Sequence, residues 1–186
     1  MADDSTVAEQ AVLEPDEAAG DEANLAELAG KYLTFHLGKE EYGLEILKVR
    51  EIIGMMNVTS VPRTPDFIRG VINLRGKVIP VVEIRGKFQL EAVDDTEKTC
   101  IIVVQVNRDD TKVTMGIIVD EVSEVLDIDR SQLEPSPQFG TSINTDFILA
   151  MGRVEEKLIM LLDVDQVLSS GELETLGQIE GQTASE

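Results

Sequence analysis

One stretch of sequence occurs twice in this chain and decides its fold: GLEILKVREII at residues 43–53 and GIIVDEVSEVL at residues 116–126. A second pair follows, KVIPVVEI at 77–84 and KLIMLLDV at 157–164. The offset between the copies rises from 73 to 80 residues, so the later copy carries a seven-residue insertion. Two copies of a small β unit, with no catalytic apparatus between them, indicate a binding protein built from two modules.

Predicted strands surround both copies. Residues 31–37 alternate apolar and polar side chains and residues 101–106 form a continuous apolar run, so each predicts the first arm of a hairpin. Thr64 can cap a helix and Pro65 suits its first position, which predicts a short helix there. Gly70 is expected to end that helix in a turn after little more than one helical turn.

A tight turn joins two further predicted strands, residues 71–74 and 77–84. Asn73 opens this turn, and Gly76 suits it because a tight turn demands positive φ. Pro80 cannot donate a ladder hydrogen bond, so it predicts an edge strand or a bulge at this point.

Many short strands, glycine-containing turns and little helix predict an all-β fold. About five strands per copy suit a small barrel, and two barrels stacked through a shared hydrophobic core are expected, with short helices and a C-terminal helix. One continuous sandwich remains an alternative. The two barrel subdomains are placed at about residues 31–93 and 98–170, and whether they exchange strands is left open.

The net charge of −20 lies mostly at the two ends of the chain. Residues 1–30 hold nine acids and no Lys or Arg, and residues 171–186 hold four acids and again no base. Residues 31–170 keep 23 acids and all 16 bases, a net charge of −7. The head is expected to be an acidic, largely disordered extension and the tail to be flexible, because neither can bury enough apolar surface to offset ordering entropy.

This charge distribution also bounds the partners. Nucleic acids and anionic membranes attract clustered Lys and Arg, so neither is expected to bind. No apolar run approaches the roughly 20 residues that span a bilayer, so direct membrane insertion is not expected and a cytoplasmic protein is predicted.

Residues that could carry chemistry are few. His36 is the single histidine and is expected on a strand surface, since one histidine cannot build a His-rich metal site. Cys100 is the single cysteine and is expected to be a small buried thiol. Pairs such as Asp127 and Asp129 lack the glycine and the closing glutamate of a calcium loop. No metal, cofactor or enzymatic activity is therefore predicted.

Two residues invite a binding role. Arg75 stands where the second copy has Glu155, and it is either a solvated loop charge or an anchor that pairs a carboxylate, with Glu51 as the candidate partner. Phe139 follows two prolines in the inserted loop, where it either anchors an interface or folds back over a barrel end.

Four ordered motifs resemble the CheW chemotaxis coupling proteins, over about residues 31–168. They are EYGLEILKVREI at 41–52, TPDFIRGVINLRG at 64–76, IPVV at 79–82 and MGIIVDEV at 115–122. The resemblance implies a pair of five-stranded, SH3-like barrels and a non-catalytic adaptor. It also implies two partners: the regulatory domain of the histidine kinase CheA, and the cytoplasmic helical tip of chemoreceptors.

The resemblance also assigns residues. Ile46, Val49 and Glu51 would lie along a receptor-binding groove, Arg75 would pair with Glu51, and Phe139 would meet the kinase. Other CheW-like domains in array rings are further candidate partners, and the adaptor would be recruited to membrane-associated receptor arrays.

Two other functions remain open from the residues alone. One is a β-barrel that binds or transforms a small molecule, which would need convergent polar groups in a pocket. The other keeps the adaptor but places it in a chemosensory pathway that controls surface motility or another output.

Overall fold

The computed structural model describes residues 25–108, 110–136, 147–169 and 171–176. These residues are mostly strand, with a few short helices, which confirms the predicted fold class. In chain order the strands are β1 (Gly30–Leu37), β2 (Glu40–Glu45), β3 (Val49–Gly54), β4 (Ile68–Leu74), β5 (Lys77–Glu83), β6 (Cys100–Arg108), β7 (Thr111–Val119), β8 (Glu121–Ile128), β9 (Leu133–Glu134), β10 (Ile148–Val154) and β11 (Lys157–Leu162).

The strands form two sheets of the same design. The middle sheet has the order β3-β6-β7-β5-β4, and the terminal sheet has the order β8-β1-β2-β11-β10-β9. The orders match when β3 is equated with β8, β6 with β1, β7 with β2, β5 with β11 and β4 with β10. Each sheet therefore combines the first hairpin of one sequence copy with the later strands of the other.

In each sheet, one parallel strand pair joins the hairpin of one copy to the strands of the other. In the terminal sheet β2 runs parallel to β11 with Gly43 opposite Leu161, and in the middle sheet β7 runs parallel to β5 with Gly116 opposite Val81. A Cβ atom on Gly43 would lie 2.9 Å from Leu161 Cδ2, and one on Gly116 would lie 2.6 Å from Ile101 Cγ2. A side chain at the first position of the repeated stretch would therefore crowd Leu161 of the parallel strand in one copy and Ile101 of the antiparallel strand β6 in the other.

The hydrophobic core has three parts. In β6, Ile101 and Val103 face a cluster inside the middle sheet, whereas Ile102 and Val104 face a larger cluster shared by both sheets. Tyr32 and Ile159 belong to a third cluster, inside the terminal sheet. Two interiors and a shared core confirm the predicted pair of SH3-like barrels. They also explain the continuous apolar run in β6, both of whose faces are buried.

Short helices complete the fold at Ile84–Lys87, at Val164–Val167 and at residues 25–28 and 171–176. Asp163 caps the helix at Val164–Val167, since its carboxylate accepts a hydrogen bond of 3.0 Å from the amide of Asp165. Leu173 and Leu176 are buried in the shared cluster, so this part of the predicted flexible tail is ordered by packing. No helix of the described residues is long and apolar enough to cross a membrane.

Three local predictions were wrong. No helix forms after Thr64, whose hydroxyl donates to the carbonyl of Val61. Gly70 lies inside β4, where φ is 149° and a Cβ would collide with the carbonyl of Thr59. Pro80 lies in a central strand, and it is tolerated because the pairing of β5 with β7 begins only at Val81.

Candidate functional site

A cleft of 610 Å³ opens in the middle sheet and is called the middle cleft here. Arg50, Glu51, Arg75 and Lys77 line it together with the buried side chains Ile79 and Val103 and with Leu74, Gln105 and Thr114. All five strands of the sheet contribute lining residues, and Arg75 comes from the turn between β4 and β5.

A β-bulge in β3 directs Glu51 into this cleft. Val49 pairs with Val104, but Glu51 pairs with Val103, so Arg50 is the extra residue on this strand. Val104 faces the shared cluster and Val103 faces the interior of the middle sheet. The bulge therefore places Val49 and Glu51 on opposite faces, although residues two apart normally share one.

Arg75 is held by the turn between β4 and β5. Its φ is 52° and that of Gly76 is 86°, which is the backbone of a two-residue hairpin turn. The Oδ1 of Asn73 accepts a hydrogen bond of 2.9 Å from the amide of Gly76. Asn73 and Gly76 thus hold this turn, which places Arg75 at the edge of the cleft.

The guanidinium of Arg75 donates to the carboxylate of Glu51, so the structure contains the ion pair that the sequence suggested. Glu51 lies on edge strand β3, and Arg75 follows the opposite edge strand β4. The pair therefore joins the two edges of the middle sheet and requires the sheet to curl toward a barrel. The Arg75 side chain is 71% exposed, and ion pairs this exposed contribute about 1 kcal/mol or less. The pair therefore adds little to the stability of the fold.

Ile46 lies in a different cleft, of 310 Å³, against the terminal sheet. Leu28, Tyr32, Glu45, Ile46 and Leu47 are among its lining residues, and the Leu47 side chain is 92% exposed. The hydroxyl of Tyr32 donates to the carbonyl of Leu28 at 2.6 Å, and burial raises the pKa of Tyr32 to about 12. Burial also raises the pKa of the Glu45 carboxyl.

The four predicted groove residues are thus not gathered in one cleft. Glu51 and Arg75 line the middle cleft, Ile46 lines the smaller cleft, and Val49 is half-buried against the shared cluster between them. The segment from Ile46 to Glu51 connects the two clefts. Phe139 lies outside the described residues.

The sequence missed one polar cluster in the terminal sheet. His36 was expected on the surface, but its side chain is only 34% exposed, and its Nε2 lies 3.4 Å from the carboxylate of Glu41. Glu41 is buried, and the amine of Lys157 lies 3.9 Å from the same oxygen. The position of Glu41 opposite His36 in the β1–β2 hairpin was the available signal. The described residues contain no group of three or more His, Cys, Asp or Glu that could hold a metal ion.

Comparison with known proteins gives a consistent result. A family model described as a CheW-like domain matches residues 31–172. The chain is 40% identical over 156 residues to the chemotaxis protein CheW of Klebsiella aerogenes, covering 81% of this chain and 92% of that protein. It is 32% identical over 142 residues to CheW of Rhizobium meliloti, covering 76% and 89%. The crystal structure of the scaffolding protein TtCheW from Thermoanaerobacter tengcongensis superposes with a TM-score of 0.67 at 33% identity, covering 77% of this chain and 90% of that one.

Proposed function

The chain belongs to the CheW-like family of chemotaxis proteins, and we propose that it is a non-catalytic adaptor whose Arg75–Glu51 pair contacts a partner. Its role in chemotaxis is to couple chemoreceptors to the histidine kinase CheA. The observation that carries the proposed surface is the exposed Arg75–Glu51 pair at the middle cleft. This pair adds little stability, and a tight turn with its own hydrogen bond positions Arg75.

The receptor is proposed to bind along the segment that connects the two clefts. Its cytoplasmic tip is a helical hairpin, and amphipathic helices dock on apolar surfaces flanked by charge. Ile46 and the neighbouring Leu47 supply the apolar part, and Glu51 and Arg75 supply the charged part. Val49 supports this surface from the shared core.

The kinase is proposed to bind elsewhere, at the inserted loop that contains Phe139. Its regulatory domain is the proposed binding partner, and other CheW-like domains are proposed as further neighbours in array rings. Weak contacts at separate surfaces gain strength when several are engaged at once. Simultaneous engagement would recruit the chain to membrane-associated receptor arrays.

Charge reversal tests the receptor surface. Arg75→Glu is expected to lower receptor-dependent activity of CheA at least about tenfold, a loss of about 1.4 kcal/mol in coupling, with the fold intact. Lys98→Glu is the matched control, because Lys98 is also 71% exposed and also faces a glutamate, at 3.8 Å. The swap Glu51→Arg with Arg75→Glu restores the ion pair in reverse and is not expected to restore coupling. Normal coupling by Arg75→Glu would refute the assignment.

A further inference from the structure

The middle cleft carries more positive charge than its surroundings. Arg50, Arg75 and Lys77 line it with only one acid, Glu51, in a chain whose net charge is −20. Glu51 pairs with Arg75. Arg50 donates to the neutral amide of Gln105, and Lys77 forms no ion pair with any residue that the structure describes. Two cations in the cleft thus lack a carboxylate partner among the described residues.

Several other bases near the two sheets are paired with acids within the fold. Lys48 pairs with Asp165 at 2.8 Å, Lys87 with Glu172 at 2.7 Å and Arg153 with Glu134 at 2.9 Å. Arg69 bridges two acids, and Arg85 pairs with Asp120. Arg50 and Lys77, which have no such partner in the described part of the chain, lie together at one cleft.

The terminal sheet provides an internal reference. The offsets of 73 and 80 residues match Arg50 and Glu51 with Ser123 and Glu124, and Arg75 and Lys77 with Glu155 and Lys157. The four positions carry a formal charge of +2 in the middle sheet and −1 in the terminal sheet. The barrel architecture alone does not demand the positive charge.

We propose that the acidic head of this same chain, residues 1–24, binds in the middle cleft. The head holds eight acids and no Lys or Arg, so it complements the cations of the cleft. It is joined to the fold at the short helix of residues 25–28, where Leu25 is buried in the hydrophobic cluster of the terminal sheet. Twenty-four extended residues span up to about 80 Å, and a domain of this size has a radius of gyration of about 15 Å. The head can therefore reach the cleft.

Tethering makes weak charge contacts sufficient. A short flexible tether gives an effective concentration in the millimolar range, while each exposed ion pair contributes little and is screened by salt. The head would occupy the cleft reversibly and would compete with partners for Arg75. The binding itself does not depend on the proposed function, whereas this competition rests on it.

The binding is tested on the full chain by paramagnetic relaxation. A nitroxide is attached at Ala8→Cys in a Cys100→Ser background. The amides of Arg50, Lys77 and Thr114 are expected to lose signal about threefold at low salt and to recover near 0.5 M salt, where the Debye length falls to a few ångströms. The amides of Ser123, Glu155 and Lys157 serve as the reference and are expected to be unaffected. Equal effects on both sheets, or none, would overturn the proposal.

Charge-reversal variants distinguish electrostatic binding of the head in the cleft from a head that is merely close to it. Arg50→Glu with Lys77→Glu is expected to abolish the relaxation effect, and Lys39→Glu with Lys98→Glu, two exposed lysines that do not line the cleft, is expected to leave it. Broadening that survives reversal of Arg50 and Lys77 would also overturn the proposal.

The competition has its own readout. A full chain with all eight acids of the head changed to Asn or Gln is expected to bind receptor-containing membranes about three- to tenfold more tightly at low salt. Unchanged affinity beside a positive relaxation result would remove the competition and keep the binding. Failure of both chains to bind receptors would instead count against the proposed function.

Discussion

The middle and terminal sheets share a backbone plan but differ in the side chains that line their open ends. Both place a glycine where the parallel strands meet, Gly116 in one and Gly43 in the other. Both have a bulge in the edge strand that follows the first hairpin. Arg75 in one corresponds to Glu155 in the other, at nearly the same φ. The two copies thus share the residues that the backbone requires and differ in the charge that they carry at this turn.

The two equivalent glutamates show the same division. The amide of Glu124 donates to the hydroxyl of Thr34 at 3.2 Å, and that hydroxyl donates to the carbonyl of Glu124 at 3.0 Å, which stabilises the bulge in the terminal sheet. At the equivalent bulge Glu51 pairs with Val103, which has no hydroxyl, and its side chain instead meets Arg75. One position therefore supports the fold in one sheet and presents a charge in the other.

The two sheets should differ most at the bulge in the first strand of the later hairpin, β4 in the middle sheet and β10 in the terminal sheet. Gly70→Ala is expected to lower the free energy of unfolding by about 3–5 kcal/mol, since the methyl would collide with the Thr59 carbonyl at a strained φ. At the equivalent position Ala150→Gly should cost only about 1 kcal/mol. Gly54→Ala, with open space around it, is the control. Denaturant unfolding measures all three, and a mild effect of Gly70→Ala would mean that β4 shifts freely.

The turns of the β1–β2 and β6–β7 hairpins are stabilised by different ion-paired aspartates. Asp120 accepts from the amide of Gly38 at 2.7 Å and pairs with the guanidinium of Arg85, whereas Asp165 accepts from the amide of Asn107 at 3.0 Å and pairs with Lys48.

Asp120→Asn is expected to cost about 2 kcal/mol, because it removes charge-assisted hydrogen bonds from a largely buried arginine. Asp165→Asn, paired with a more exposed lysine, should cost about 1 kcal/mol. Chemical denaturation of both variants tests whether Asp120→Asn is the more destabilising. Equal losses of unfolding free energy would show that the two ion pairs contribute equally.

At low pH the larger of these two losses in unfolding free energy, that of Asp120→Asn, should disappear. The hydrogen bond from Arg85 lowers the pKa of the Asp120 carboxyl in the folded chain. Its stabilisation is therefore present above the unfolded pKa of about 3.9 and disappears as the pH falls through the lower folded value. The difference in unfolding free energy between wild type and Asp120→Asn should shrink over that window. A difference that stays constant to low pH would contradict the charged pair.

The loop that contains Phe139 lies where the second copy is seven residues longer than the first. Phe139→Ala is expected to weaken CheA binding about tenfold, or about 1.4 kcal/mol, and to leave receptor affinity unchanged. Calorimetric titration with each partner measures this. Unaltered CheA affinity would place the kinase surface elsewhere.

The smallest effect should come from making the sheets more alike. Glu155→Arg installs the arginine of the middle sheet on a backbone with φ of 57°, close to the 52° of Arg75. Pairing with Glu124 should change stability by less than about 0.5 kcal/mol. A double-mutant cycle with Glu124→Gln measures the coupling. A value above about 1 kcal/mol would show that such pairs do stabilise this fold.

Local patterns in the sequence predicted the strands and the duplication, while long-range contacts produced the surprises. The alternation in β1 and the apolar run in β6 follow directly from which faces are buried. The place of Gly70 inside a strand depends on Thr59, which folds back across β4, and no local signal shows that contact. The bulge at Arg50 likewise moves Glu51 away from the face of Val49 and divides the predicted groove. The Arg75–Glu51 contact was suggested by the contrast with Glu155.

The exchange of hairpins has a consequence for synthesis. The β1–β2 hairpin emerges early from the ribosome, but its partner strands β8, β10 and β11 are made last. The middle sheet is built from consecutive strands and can assemble while the chain is still growing, because a domain made of neighbouring segments closes shorter loops. The β1–β2 hairpin therefore has unpaired edges until these strands have been synthesised. During this interval the chain is most prone to aggregate.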